Sequence, residues 1–362
     1  MSIDNPELYF QTKLFTGNGG TQSITLDGSE NMQPDLVWIK NRATTGNHAL
    51  FNVISGVTKY LNSNTNYSEQ TSAPTLTSFN SDGFTVGSST DLNGSGNGIC
   101  SWNWKAGGSA SSNTDGSITS TVSANTTAGF SIVSYTGTNS GITVGHGLGS
   151  VPSMIIFKDR SNAQDWVVNH KSLAQQTQAH LTLNTTNASG NNTSLFNNTA
   201  PTSSVFSVGA NVATNASSAN FIAYCFAEKK GYSKFGSYTG NGNADGTFVY
   251  TGFKPAFVMT KRTDGSDWWG IWDSKRDSFN EATKHLRANT SDAENPKSID
   301  ILSNGFKLLN TDPATNASGG TYIFMAFSSE PFTTSTGVPA TARWSMKFIL
   351  LISVCSYIQH EC

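Results

Sequence analysis

The chain has 362 residues, a net charge of -2 and only 13% charged residues. That length can bury a large core and predicts two or three domains. A weakly charged surface gives none of the electrostatic attraction that nucleic acids or anionic membranes require, so we expect neither as a partner. Abundant Gly, Ser, Thr and Asn, with 11% aromatic residues, are typical of all-β proteins with many short strands.

The first eight residues are polar and acidic, so we interpret them as a short leader and not as a secretory signal. Glycine-rich turns at 17–20 and 27–28 then indicate hairpin connections between short strands. Residues 34–40 run proline, any residue, three apolar residues, one more residue and lysine. Three consecutive apolar residues predict a strand that is buried on both faces or lies at the centre of a sandwich sheet.

This proline-to-lysine stretch occurs three times, and each copy is followed within two residues by an arginine. The copies are residues 34–40, 152–158 and 255–261, and the arginines are Arg42, Arg160 and Arg262. A strand buried on both faces belongs to the core of its unit. We therefore interpret the Lys and Arg as a structural rim at the end of the strand. Their expected partner is the polar residue eighteen positions after the proline, which is Asn52, His170 or Asp273 in the three copies.

Other positions recur at fixed offsets from the proline. Fourteen residues after it stand His48, Trp166 and Trp269, and eighteen after it stand Asn52, His170 and Asp273. Each copy later has an Asn in a turn (Asn93, Asn215 and Asn316) and then an apolar closing strand, at 99–104, 221–226 and 322–327. Such agreement predicts three copies of one unit of roughly 100 residues.

We predict an all-β chain of three tandem β-sandwich repeats, jelly-roll or lectin-like or Ig-like, because each unit has many short strands with frequent turn signals. Residues 171–180 and 273–288 are either short helices or loops. The predicted divisions are a leader (1–8), repeat one (9–106), a Gly/Ser/Thr-rich linker (107–128), repeat two (129–228), repeat three (229–333) and a tail (334–362).

The tail contains an apolar run from Trp344 that is too short to span a bilayer, which needs about 20 residues. It has no counterpart in the repeats. It is a last β-strand, a partner-binding strand, or a sequence not native to the protein from residue 344, and we favour the last of these.

No catalytic motif is present: there is no GxSxG elbow, HExxH, phosphate-binding loop or EF-hand loop. The position eighteen after the proline differs in all three copies, which favours a structural polar site over an active site. Cys100 and Cys225 lie in apolar runs and are predicted to be small buried hydrophobes. None of the four cysteines forms a CxxC pair. We expect no enzyme activity, no metal and no cofactor.

The third repeat differs from the others in an aromatic segment, residues 264–273. Strand periodicity predicts that Trp268 and Trp272 point outward together, about 13 Å apart. With Asp264 and Asp267 they form the candidate ligand site, since an exposed Trp covers the apolar face of a sugar while carboxylates bind its hydroxyls. The alternative is that these Trp rings cover a sandwich edge or an interface to a neighbouring repeat or subunit.

Taken together, the chain resembles a family of large proteins encoded by marine bacteriophages, usually labelled tail fibre or structural proteins, that carry a domain of unknown function. The resemblance covers about residues 8–343. It depends on residues 8–19 (LYFQTKLFTGNG), 34–42 (PDLVWIKNR), 102–107 (WNWKAG), 115–122 (DGSITSTV), 231–240 (GYSKFGSYTG) and 286–292 (LRANTSD). The family supplies no catalytic residues to transfer.

This resemblance implies a non-enzymatic virion structural protein of the tail fibre or adhesin class, exposed on the particle surface. Its expected partners are a host surface glycan or protein, other virion proteins and further copies of itself. The alternatives are a head-decoration or fibre-connecting virion protein, or a secreted carbohydrate-binding module.

Overall fold

A computed structural model describes residues 3–330, with side chains to residue 328. The fold is predominantly β, with antiparallel pairing between its strands, which confirms the all-β class. The helices among these residues are short: a 3-10 helix at Pro6–Leu8, and α1 (Thr90–Asn93), α2 (Val212–Asn215) and α3 (Pro313–Asn316). The tail at 334–362, including the segment from 344 interpreted as non-native, lies outside the described residues.

Repeat one contains nine strands, which form sheets in the order β1-β9-β3-β4, β2-β8-β7 and β5-β6. They are β1 (Phe10–Thr16), β2 (Gln22–Thr25), β3 (Leu36–Asn41), β4 (Ala49–Asn52), β5 (Lys59–Tyr60), β6 (Gln70–Thr71), β7 (Leu76–Asn80), β8 (Gly83–Val86) and β9 (Gly98–Trp104). Residues 3–8 pack against this body, since Ile3 and Pro6 are buried.

Residues 107–128, predicted as a linker, instead contain β10 (Ser111–Asn113) and β11 (Ser120–Asn125). Both strands extend the main sheet of repeat two, and Val122 is buried in the core of that repeat. The linker prediction is therefore wrong for these residues. Ser residues concealed both strands: Ser111 and Ser112 are exposed in the edge strand β10, and Ser120 and Ser123 are buried in β11 without being apolar.

Repeat two continues that sheet in the order β10-β11-β12-β19-β14-β15-β16-β17, with β13 and β18 paired separately. Its strands are β12 (Phe130–Thr136), β13 (Ile142–Gly145), β14 (Met154–Asp159), β15 (Val167–His170), β16 (Ala179–Thr182), β17 (Gly190–Asn191), β18 (Val205–Val208) and β19 (Asn220–Phe226). Residues 171–178 form turns and no helix.

Repeat three forms one curled sheet in the order β20-β27-β22-β23-β24-β25-β26-β21. Its strands are β20 (Ser233–Thr239), β21 (Phe248–Tyr250), β22 (Lys254–Arg262), β23 (Trp269–Asp273), β24 (Ala282–Arg287), β25 (Asn295–Leu302), β26 (Gly305–Leu308) and β27 (Thr321–Glu330). The second possible helix, at 273–288, consists of turns and β24. The three predicted closing strands are confirmed within β9, β19 and β27.

The proline-to-lysine strand lies at the centre of each main sheet, and both of its faces are buried. In β3, Leu36 and Trp38 belong to a core shared by all three repeats, while Val37 and Ile39 belong to a core of repeat one alone. The same alternation occurs in β14 and β22. Two separate apolar layers therefore explain the three consecutive apolar residues, because successive side chains of a strand point to opposite faces.

The shared core is organised around three aromatic rings at equivalent positions of the closing strands. Trp104, Phe226 and Phe327 come one from each repeat, and each is almost fully buried. Their ring centroids form a triangle: Trp104 lies 6.4 Å from Phe226 and 5.7 Å from Phe327, and Phe226 lies 5.9 Å from Phe327. These distances suit edge-on and tilted aromatic packing.

The recurrent turn asparagines are completely buried and hold the loops at the outer end of each repeat. The amide nitrogen of Asn93 donates to the carbonyls of Gly20 (2.6 Å) and Gly87 (2.9 Å), and its oxygen accepts from the amide of Asn18 (3.0 Å). Asn215 and Asn316 make the corresponding bonds. Their buried amides satisfy backbone groups that would otherwise be left unpaired.

We expect Phe327→Ala to destabilise the whole body by about 3–5 kcal/mol, because it removes one ring of the central triangle and leaves a cavity. Urea unfolding followed by Trp fluorescence measures this. Phe279→Ala is the matched control, because that ring is 87% exposed and its loss should change stability by less than about 0.5 kcal/mol. A variant in which two repeats unfold at the wild-type midpoint would contradict a shared core.

Candidate functional site

The side chains fourteen residues after the proline join neighbouring repeats. Trp166 of repeat two donates to the carbonyl of Asn62 in repeat one (2.9 Å), and Trp269 of repeat three donates to that of Thr182 in repeat two (3.0 Å). His48 of repeat one donates to the carbonyl of Arg287 in repeat three (3.0 Å). His48 can donate through Nε2 because its Nδ1 accepts from the Trp38 indole. The third repeat thus closes onto the first, and the three repeats form a ring.

The position eighteen after the proline also makes contacts between repeats. The pairs are Asn52 with the Tyr224 hydroxyl (3.2 Å), His170 with the Phe324 carbonyl (3.3 Å) and Asp273 with the Trp102 indole (3.0 Å). All three side chains are buried. Three different residues therefore perform one structural task, in line with the interpretation of this position as a structural polar site.

The recurrent lysines are completely buried and donate to backbone carbonyls. Lys158 donates to the carbonyl of Asp159 (2.8 Å) and Lys261 to that of Arg262 (2.7 Å), and each also reaches a carbonyl of the preceding repeat. Burial lowers the pKa of Lys40, Lys158 and Lys261 to about 8. The predicted pairing of these lysines with the Asn/His/Asp position is wrong, because that position faces the shared core.

Two of the three boundaries between repeats carry a bidentate Arg–Glu ion pair. Arg160 of repeat two binds Glu69 of repeat one (2.8 and 2.9 Å), and Arg42 of repeat one binds Glu294 of repeat three (2.7 and 2.9 Å). In both pairs the glutamate amide also donates to the arginine carbonyl. Planar, bidentate pairs of this kind fix the relative orientation of the groups that carry them.

Among the described residues, the boundary between repeats two and three has the backbone bond at this position but no Arg–Glu ion pair; its ion pair is elsewhere, between Lys234 and Glu228 (2.8 Å). The Ser189 amide donates to the Thr263 carbonyl (2.8 Å), so Thr263 occupies the arginine position and Ser189 the glutamate position. Arg262, interpreted as the third member of the recurrent set, lies one residue too early. It turns instead to Asp264 (2.8 Å) and Asp267 (3.2 Å) of its own repeat.

A groove of about 520 Å³ lies at this third boundary. It lies between the β15–β16 turn and β17 of repeat two on one side, and the edges of β20, β22 and β27 of repeat three on the other. Asp264 borders it. Burial raises the pKa of this carboxyl, but the hydrogen bonds from Arg262 and from backbone groups, with the charge of Arg262, together hold it below its usual value.

The predicted tryptophan platform is wrong in its orientation. Trp272 is completely buried, and its indole donates to the carbonyl of Lys297 in β25 (2.8 Å). Trp268 is half-buried against His285, with ring centroids 4.2 Å apart. The two indoles do share a face, as the periodicity predicts, but the outer strands of repeat three cover that face, so Trp272 presents no surface to a ligand.

No three His, Cys, Asp or Glu side chains within residues 3–328 lie close enough together to hold a metal ion. Cys100 and Cys225 are buried free thiols, as predicted, and burial raises the pKa of each. No helix in this part of the chain is long and apolar enough to cross a membrane.

Sequence reasoning missed the groove although one signal for it was present. Arg42 and Arg160 stand eight residues after their prolines, whereas Arg262 stands seven after Pro255. Strict registration would have assigned Thr263 to the arginine position and revealed the unequal boundary.

A family model for a domain of unknown function (DUF7483) matches residues 5–331. No curated protein matches the chain.

The buried histidines predict a loss of stability in mild acid. Burial lowers the pKa of His170 to about 3, while the unfolded chain has a pKa of about 6.5 there. Below pH 6.5 the unfolded state therefore binds the extra proton, and stability falls as the pH decreases towards 3. Between pH 7 and pH 5 this histidine alone should cost about 2 kcal/mol.

Urea titrations of wild type and His170→Gln at pH 7 and pH 5 test this expectation. The variant should be less stable at pH 7 but should lose about 2 kcal/mol less than wild type on acidification. His180→Gln is the control, since its less buried ring should change the pH dependence less. Equal losses in wild type and His170→Gln would exclude the histidine as the cause.

Proposed function

The chain belongs to the family of the domain of unknown function DUF7483, and for this member we propose a non-enzymatic virion structural protein of the tail fibre or adhesin class. In this proposal three β-sandwich units of about 100 residues form one rigid body, carried on the particle surface, that binds a glycan or protein of the host. The similarity of residues 8–343 to marine phage structural proteins supports the virion assignment.

One observation carries the non-enzymatic part of the proposal. The residues best suited to chemistry are buried and bond to neighbouring repeats; they are His48, His170, Asp273, Lys158 and Lys261. Burial also keeps the histidines neutral by lowering their pKa. Such groups stabilise a fixed shape and are inaccessible to a substrate, as a structural or adhesive protein requires.

A head-decoration or fibre-connecting role, with other virion proteins as partners, is the second candidate. It is favoured by β21, a strand at the edge of its sheet that leaves Phe248 44% and Tyr250 63% exposed. Exposed aromatics beside an unpaired strand edge suit addition of a strand from another protein. A secreted carbohydrate-binding module is a third candidate and shares the glycan-binding property of the first.

We expect the purified chain to be retained on a subset of host-type glycans and to release no reducing sugar from them. A glycan array with a parallel reducing-end assay measures both. Immunogold labelling of particles that encode the chain should place it on their outer surface. Sugar release would contradict the non-enzymatic assignment. Absence of glycan retention, together with loss of particle association in Tyr250→Asp, would favour the connecting role.

A further inference from the structure

Resting on the proposed adhesin function, we infer that the groove between repeats two and three is the glycan site and that it takes a neutral, polyhydroxylated saccharide. Its position supports this assignment. The other two boundaries are closed by Arg160–Glu69 and Arg42–Glu294, and only Thr263 with Ser189 leaves the corresponding space open among the described boundaries.

At the boundary between repeats one and two, an arginine and a glutamate stand where the groove has Thr263 and Ser189. There, Arg160 also approaches the hydroxyl of Ser134 (3.4 Å), and Glu69 accepts from the hydroxyl of Ser55 (2.7 Å). Ser237 is the counterpart of Ser134 in repeat three, and no arginine among residues 3–328 hydrogen-bonds to it. The groove thus lies where the other boundary has two larger side chains, and it contains polar groups that those side chains would have satisfied.

The lining is rich in hydroxyl groups, which both donate and accept hydrogen bonds. They belong to Ser172, Ser189, Ser237, Thr239, Thr263 and Thr321. Thr263 and Thr321 bond to each other (2.6 Å). Within the described part of the chain, the hydroxyls of Ser172, Ser189, Ser237 and Thr239 have no protein partner. These groups face an open groove and are free to bind the hydroxyls of a ligand.

Charge excludes an anionic ligand. Among the described residues that line the groove there is no Lys or Arg, and the one carboxylate, Asp264, is paired with Arg262. An acidic sugar or a phosphate would lose its hydration without gaining a counter-charge. Leu173, Ala179 and Ile323 supply the apolar part of the lining, which suits the C–H face of a sugar ring.

The size of the groove fits an oligosaccharide segment. Its volume of about 520 Å³ lies within the range of about 300–1,000 Å³ that is usual for small-molecule sites. The side-chain amide of Asn191 lies at its rim, is exposed, and is a further donor and acceptor for hydroxyls. The ligand class is therefore a short, neutral oligosaccharide.

The decisive variant rebuilds the ion pair that the other boundaries have. Thr263→Arg combined with Ser189→Glu should close the groove, and we expect it to weaken binding about tenfold or more. The probes are neutral gluco-, galacto- and manno-oligosaccharides on an array beside acidic ones, followed by calorimetric titration of the neutral glycan that is retained most strongly. Thermal unfolding of the variant checks that it is folded.

A second variant and a control make the test independent of folding defects. Ser237→Ala with Asn191→Ala leaves the groove open but removes unpaired polar groups, and it should weaken binding about threefold to tenfold. Arg42→Thr with Glu294→Ser makes the opposite exchange at another boundary. It should lower the melting temperature and leave the affinity for the glycan unchanged.

Each outcome decides between the two proposals. Loss of binding in both groove variants, with binding retained in the control, supports the groove. Undiminished binding in the rebuilt variant overturns the groove and leaves the adhesin proposal standing. Retention of acidic glycans alone overturns the neutral chemistry. No retention of any glycan by wild type overturns the adhesin proposal and the groove together.

Discussion

The packing of Trp104, Phe226 and Phe327 at the centre of the molecule is the contact on which the rest of the structure depends. Each ring comes from the closing strand of a different repeat. Each repeat buries one sheet face against its own outer layer and the other face against this centre. A repeat removed from the ring would expose that second face to water, and so the three repeats stabilise one another through burial of apolar surface.

Polar contacts around the ring then determine how the repeats are oriented. The burial of apolar surface is non-directional, whereas indole, imidazole and guanidinium groups donate in fixed directions. The bonds from His48, Trp166 and Trp269 to neighbouring backbone carbonyls therefore set the register between repeats. Because equivalent bonds recur at every boundary, a boundary can lack the Arg–Glu ion pair at modest cost. The exchange of Arg and Glu for Thr263 and Ser189 shows where this has happened.

Periodicity predicted some features of repeat three correctly and others wrongly, for one physical reason. It placed Trp268 and Trp272 on one face, because alternate residues of a strand share a side. It could not predict that β25 covers that face, since this depends on contacts between residues far apart in the chain, such as Trp272 and Lys297. For the same reason residues 111–125 looked like a linker, although they form the edge strand β10 and its neighbour β11 in a sheet whose central strands follow later in the chain.

The amino-acid sequence by itself determined the all-β class, the buried central strand and the recurrence of equivalent positions in three copies. These are local patterns, repeated often enough to be recognised without knowledge of contacts. Only the tertiary structure decided that the third copy closes onto the first, which gives every repeat two neighbours. Closure made the boundaries comparable, and the comparison revealed the groove at Thr263 and Ser189. A missing side-chain pair is visible only beside the two boundaries that have one.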